Sequence, residues 1–170
     1  MIFVAAGTTG FDALVKKMDE LAPALHEPVT MQIGSGTFIP QRAEYFRFAV
    51  SLQPYYERAS LVVAHGGMGT CLEVLRCNKP LIALANPDRY DQHQQDIISV
   101  LAEQNYLIWC KELNELAEAL RRAQQQEFAR YVAPECQIHI VIQKYLCNTM
   151  PTRARHSEKA GTREGNVPAK

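Results

Sequence analysis

Gly66, Gly67, Gly69 and Thr70 stand together in the sequence, with a carboxylate at Glu73 three residues further on. Glycines let a loop bend tightly and bring backbone N–H groups up to a ligand, and the positive end of a following helix favours an anion. The loop is therefore a candidate phosphate cradle. The same residues have a purely structural reading: Thr70-Cys71-Leu72-Glu73 fits a capping box, in which Thr70 and Glu73 satisfy each other's backbone donors. A second polar cluster, Asp91-Gln92-His93-Gln94, follows Asn86-Pro87-Asp88 and reads as a ligand-binding loop or as a helix start capped by Asp91. His65, at the head of the glycine loop, is placed to touch a phosphate or to bond a neighbouring carbonyl.

Both clusters stand behind short apolar runs, Leu61 to Ala64 and Leu81 to Ala85, and both run into helical patterns. The opening of the chain repeats the plan: an apolar run over residues 2 to 6, the loop Gly7-Thr8-Thr9-Gly10, then Phe11, Leu14, Val15, Met18 and Leu21 at helical spacing. Val29 to Ile33 and Tyr45 to Val50 read as further strands, with a turn of helix over Leu52 to Arg58. Tyr106 to Trp109 reads as a last strand, Glu112 to Gln125 as an amphipathic helix, and Pro134 to Cys147 as another helix. Strands that are apolar throughout and alternate with helices imply an α/β fold, a Rossmann-like parallel sheet covered by helices on both faces. In such a sheet the loops at Gly7, Gly34, Gly66 and Asn86 leave from one edge, where open α/β folds bind ligands.

The chain has 170 residues, 47% of them hydrophobic, enough for one domain with a substantial core. Residues 1–150 are expected to form it, and residues 151–170, rich in Pro, Arg, Ser, Glu, Lys and Gly, a disordered basic tail. In the tail Arg153, Arg155, Lys159, Arg163 and Lys170 face Glu158 and Glu164, a net +3, against −3 for the rest (13 basic, 16 acidic). The folded part has no nucleic-acid footprint. The tail reads as a solvated end, with a weak attraction to anionic membrane surfaces as its other reading. Five cysteines form neither a CxxC pair nor a Cys/His ligand set, and their odd count argues against a secreted disulfide framework. With no charged leader and no apolar run of membrane-spanning length, a cytoplasmic protein is expected.

The segments FVAAGTTGFDALVKKMDEL, LVVAHGGMGTCLEVLRCNKPLIAL and DQHQQDIISVLAEQNY together resemble the C-terminal, nucleotide-sugar-binding half of family 28 GT-B glycosyltransferases. Within that family the chain is most similar to the free-standing donor subunits of split transferases. These are the eukaryotic transferase acting on dolichyl-diphosphate GlcNAc and bacterial counterparts in exopolysaccharide and capsule synthesis. The resemblance implies that Gly66, Gly67, Gly69 and Thr70 hold the diphosphate of a UDP-sugar, with His65 and the loop Gly7, Thr8 and Thr9 flanking it. Glu73 would take the ribose diol, and Asp91, His93 and Gln94 the sugar hydroxyls. It also implies inverting transfer, with UDP-sugar as substrate and neither cofactor nor metal. Asp88-Arg89-Tyr90-Asp91 lacks the Asp-x-Asp spacing. A family member of two domains carries an acceptor-binding domain ahead of this one. Here the donor half starts at Met1, so the acceptor, a lipid-diphosphate-linked saccharide, is expected on a separate membrane-attached subunit that keeps the chain at the inner membrane face. The general base is unassigned between that subunit and His65. The apolar string Ile138, Ile140, Val141, Ile142, Tyr145 and Leu146 reads as core burial, or as part of the docking surface.

Two other readings come from the residues. Gly67-Met68-Gly69-Thr70-Cys71-Leu72 opens like a dinucleotide fingerprint, with Asp88 about 20 residues on, but Leu72 stands where Gly or Ala must pack the helix on the sheet. An auxiliary subunit that keeps the fold without donor chemistry would be marked by loss of the motif residues, and they are mostly present.

Overall fold

The computed structural model describes residues 1–87 and 93–149. Its contacts divide the chain into two units, Met1–Ala133 and Pro134–Lys170. The first contains a six-stranded sheet built from β1 (Ile2–Ala5), β2 (Val29–Gln32), β3 (Glu44–Phe46), β4 (Leu61–His65), β5 (Leu81–Leu84) and β6 (Ile108–Trp109). Every pairing is parallel and the order is β3-β2-β1-β4-β5-β6. The chain starts in the middle of the sheet, winds outward to β3, then returns past β1 to β4 and winds the other way. Loops after β1 and β4 therefore leave in opposite directions at the reversal point, which opens a crevice at the C-terminal edge of the sheet.

Successive side chains of a strand point to opposite faces, and here both faces are covered. Ile2 and Val4 of β1 join one core with Leu14, Val15 and Met18 of α1 (Asp12–Leu21) and Leu116 and Leu120 of α5 (Leu116–Ala123). Phe3 and Ala5 face the other, formed with Tyr56 of α2 (Gln53–Arg58), Cys71, Val74 and Leu75 of α3 (Met68–Arg76), and Ile98 of α4 (His93–Glu103). The doubly covered Rossmann-like sheet expected from the sequence is thus the observed fold.

Three local expectations are corrected. The third strand stops at Phe46, well short of Val50. Arg47 turns its guanidinium back to donate to the carbonyls of Gly34 (3.1 Å) and Gly36 (2.9 Å), and beyond it Phe48 and Val50 stand exposed. The helix expected from Glu112 opens as a single 3-10 turn, Leu113–Glu115, before α5 begins. The last helix, α6 (Ile138–Thr149), starts later than Pro134, and its apolar string is not buried: Ile138, Ile140, Val141, Ile142, Tyr145 and Leu146 are all exposed. The expectation of a disordered tail over 151–170 lies outside the described residues.

Candidate functional site

At the crevice, α3 begins at Met68 with Gly67 as its N-cap (φ −69°, ψ 130°), and no side chain caps it. Thr70 is therefore inside the first turn and not at the cap, so the capping box with Glu73 does not form. The first intrahelical bond runs from Cys71 N–H to Gly67 C=O (3.0 Å), which leaves the N–H groups of Met68, Gly69 and Thr70 without helical acceptors. These donors, with the positive helix end, point out of the C-terminal edge of the sheet.

The glycines around this turn differ in what requires them. A Cβ on Gly66 would collide with the buried Ile98 side chain of α4, so that glycine is explained by packing. One on Gly67 would lie 2.6 Å from His65 Nε2, and one on Gly7, whose φ is +82°, 2.8 Å from His65 Cε1. The imidazole thus fills the gap between the loops after β1 and β4, and its Nδ1 lies 3.3 Å from the Ala5 carbonyl. Gly69 is unlike the others: a Cβ there would meet nothing within 4 Å among the described residues. Packing gives no reason for glycine at 69, and the space beside it at the helix end is open among the described residues.

Glu73 is exposed on α3, one turn past the uncapped end. It lines a pocket of about 480 Å³ with Ala49, Val50, Ser51, Leu52 and Tyr56 among its walls. Tyr56 is 1% exposed, and its hydroxyl has no hydrogen-bond partner among the described residues. Burial first, and the Glu73 carboxylate second, push that phenol above its ordinary range. The pocket therefore holds a carboxylate acceptor beside a buried hydroxyl that a ligand could satisfy.

The loop Gly7–Gly10 stands across His65 from the Gly67 turn. Gln32 in β2 clamps it: Gly7 N–H donates to Gln32 Oε1 (3.1 Å), while Gln32 Nε2 donates to the carbonyls of Gly7 (3.0 Å) and Arg47 (3.0 Å). Thr8 and Thr9 are exposed at its crest. A Cβ on Gly34 would strike the Gly7 carbonyl, so the loop after β2 packs directly on the first. Asp12 holds that second loop, accepting from the backbone N–H of Thr37 (3.0 Å) and from its hydroxyl. The Thr37 hydroxyl bond is the main reason the Asp12 carboxyl titrates below its ordinary range.

Asn86 ties in the loop after β5. Its Nδ2 donates to Gly10 C=O (3.2 Å), and its backbone N–H donates to Gln94 Oε1 (3.0 Å). Gln94, in the first turn of α4, thus spends its carbonyl on the scaffold and keeps Nε2 as a donor. Asp91 lies outside the described residues; His93 opens α4, and its side chain is not described. No group of three or more His, Cys, Asp or Glu side chains converges on a metal-sized site among the described residues. Burial pushes the Cys71 thiol up to about 12, so it stays a protonated core group.

Sequence reasoning missed Gln32 and Tyr56 as site residues. A glutamine in the otherwise apolar strand VTMQ is a signal in principle, because a buried amide must be hydrogen-bonded. Tyr56 gives no such signal, since its role depends on which face of α3 it meets.

The comparisons with known proteins agree with this fold. The family model "Glycosyltransferase family 28 C-terminal domain" matches residues 1–143. The chain is 30% identical over 122 residues to "UDP-N-acetylglucosamine transferase subunit ALG13" of Homo sapiens, 64% of this chain and 11% of that protein. It therefore spans about a tenth of the human relative's length. Among solved structures it is similar in fold to Acinetobacter baumannii MurG (TM-score 0.62, 20% identity), covering 84% of this chain and 49% of that one. It is also similar to the solution structure of ALG13 (TM-score 0.55, 22% identity), covering 87% and 95%. With a family model matched over most of its length on the expected fold, the chain belongs to the glycosyltransferase family 28 C-terminal domain family.

Proposed function

We propose that this chain is the donor-binding, catalytic subunit of a two-subunit glycosyltransferase, taking a UDP-sugar and transferring the sugar to a lipid-diphosphate-linked saccharide. One observation carries the proposal: an uncapped helix end with open space over Gly69, one turn from an exposed carboxylate on the wall of a 480 Å³ pocket. The N–H groups of Met68, Gly69 and Thr70 take the diphosphate. Glu73, an acceptor-only group, takes the two ribose hydroxyls, and the walls from Ala49 to Leu52 take the uracil. As the bond to the sugar breaks, negative charge grows on the departing UDP, and fixed amides at the helix end stabilise it without reorganising. His65, bonded to Ala5 and seated against Gly7 and Gly67, fixes the spacing of the two phosphate-facing loops. Gln94 Nε2, with Asp91 and His93, is assigned to the sugar hydroxyls.

The acceptor half of the site is assigned to a membrane-attached partner subunit docking on the same sheet edge, where Phe48 (60% exposed), Val50 and Met68 (54%) leave apolar surface beside the pocket. Among the described residues no helix is long and apolar enough to cross a membrane, so attachment at the inner face is assigned to the partner. The relatives' name favours UDP-N-acetylglucosamine as the first donor to test. The acceptor class includes the exopolysaccharide and capsule repeat units expected from the family.

Calorimetric titration with UDP tests the donor site. Binding by the native chain, weakened about 10- to 100-fold by Glu73→Ala, is expected, because a hydrogen bond to a charged group contributes about 1.5–3 kcal/mol. Unchanged affinity in that variant sinks the assignment. Co-expression with the partner subunit then separates catalytic from auxiliary: sugar transfer that survives loss of both Glu73 and Gln94 makes the chain a scaffold.

A further inference from the structure

Gln32 ends β2 and is 3% exposed, among strand residues that are otherwise almost all apolar. A buried amide must find partners, and which partners it takes is informative. Its Oε1 accepts from Gly7 N–H (3.1 Å), and its Nε2 donates to the carbonyls of Gly7 (3.0 Å) and Arg47 (3.0 Å). All of these are loop backbone, and they belong to two separate segments. One is the loop Gly7–Gly10 after β1. The other is the strap from Arg47 to Leu52 after β3, which leads into the pocket that holds Glu73 and Tyr56.

The strap depends on that hold. Among the described residues no backbone–backbone hydrogen bond reaches Phe48, Ala49, Val50 or Ser51, and Phe48 and Val50 are exposed. Ala49 to Leu52, which wall the pocket, therefore hang between two fixed points. One is Leu52, whose carbonyl accepts from Tyr55 N–H (3.0 Å) at the start of α2. The other is Arg47, fixed through both its backbone and its side chain. Its carbonyl accepts from Gln32 Nε2 and from Gly34 N–H (3.1 Å), and its guanidinium donates to the Gly34 and Gly36 carbonyls. The loop after β2 leans in turn on the first, through Ser35 N–H to Thr8 C=O (3.0 Å). One buried amide thus joins the loop that faces the phosphates to the anchor of the strap that walls the pocket.

The geometry points to Gln32 as a positioning residue of the donor site: its amide holds the Gly7 loop and the strap at one separation, so that the diphosphate and the nucleoside of a single ligand are met together. The inference rests on the donor-site reading. It is tested on the full chain by NMR-detected hydrogen exchange without ligand, and by calorimetric titration with UDP. The N–H of Gly7 reports the loop, and the N–H of Gly34, bonded to Arg47, reports the strap anchor. Gln32→Met keeps the length of the side chain without its hydrogen bonds. Both amides should then exchange faster while those of β4 and β5 are unchanged. UDP affinity should fall about tenfold or more, since misplacing one of two joined contacts is enough. Arg47→Ala, at an exposed side chain, should speed exchange at Gly34 and leave Gly7 protected. Gln32→Glu keeps the acceptor for Gly7 N–H but sets a carboxylate against two carbonyls. Protonation restores one donor, so the UDP affinity of this variant, relative to the parent, should recover as pH falls from about 8 to about 5. Ile108→Val, a core change in β6 at the far edge of the sheet, should lower stability and leave UDP affinity alone. A Gly34 amide unmoved in Gln32→Met overturns the proposal, as does parent-like UDP affinity in that variant or an equal loss in Ile108→Val. Failure of the donor-site reading looks different: the parent itself binds no UDP, and the role assigned to Gln32 falls with it.

Discussion

At the residue scale, Tyr56 and Glu73 form the part of the site whose chemistry is most distinctive. A buried hydroxyl with no well-formed hydrogen bond among the described residues carries a desolvation cost that the Glu73 carboxylate beside it offsets only in part. Tyr56→Phe removes that cost while keeping the ring, which stacks on Phe3 (5.7 Å, edge-on). The variant should be as stable as the parent or more so by up to about 1 kcal/mol, measured by denaturant unfolding. If the hydroxyl is satisfied only when the pocket is filled, the same variant binds UDP more weakly. A drop in stability with unchanged UDP affinity would show that the hydroxyl already has its partner in the empty protein. None of this was legible in the sequence: Glu73 is marked by its spacing from Thr70, but Tyr56 lies 17 positions earlier and is joined to it only by the packing of α2 on α3.

At the scale of elements, the helix end of α3 makes stability and binding pull apart. Glycine within a helix costs about 0.5–1 kcal/mol relative to alanine, and a Cβ on Gly69 meets nothing within 4 Å among the described residues. Gly69→Ala should therefore raise the melting temperature while weakening UDP, since the methyl occupies the space above the amides. Gly66→Ala should do the opposite to stability, costing about 1–3 kcal/mol as Ile98 is displaced, because overpacking in a dense core is not relieved freely. Parallel melting curves of the two variants decide it; a similar loss in both would mean that the helix end is packed shut. The loop after β2 answers to pH. Asp12 titrates below its ordinary 3.8 in the folded chain, so its bonds to Thr37 contribute stability at neutral pH that is lost as pH falls through the folded value. Asp12→Asn should lower stability at pH 7 by about 1 kcal/mol, the exposed setting screening the rest, and the deficit should shrink below pH 3.8. A deficit of constant size down to acid would assign the loss to shape and not to charge.

For the molecule as a whole, the strands were readable because a parallel sheet covered on both faces demands unbroken apolar runs, and Leu61 to Ala64 or Leu81 to Ala85 fit little else. What failed was decided at a distance. The third strand ends at Phe46 because Arg47 is recruited by Gly34 and Gly36, and the apolar residues of α6 are exposed although their spacing is that of a core helix. The interlocked loops at Gly7 and Gly34, with Gln32 between them, likewise appear only once β1 and β2 are neighbours. That interlocking fixes how a donor should act on the fold. A nucleotide bridging α3 and the pocket beside α2 binds the native state and not the unfolded one, so at a hundred times its dissociation constant UDP adds about 2.7 kcal/mol. The melting temperature of the sheet unit should rise with UDP, fail to rise with NAD, and lose most of the gain in Glu73→Ala. Stabilisation by NAD in place of UDP would return the glycine loop to the dinucleotide reading, because the fold is the same in both and only the ligand on the helix end tells them apart.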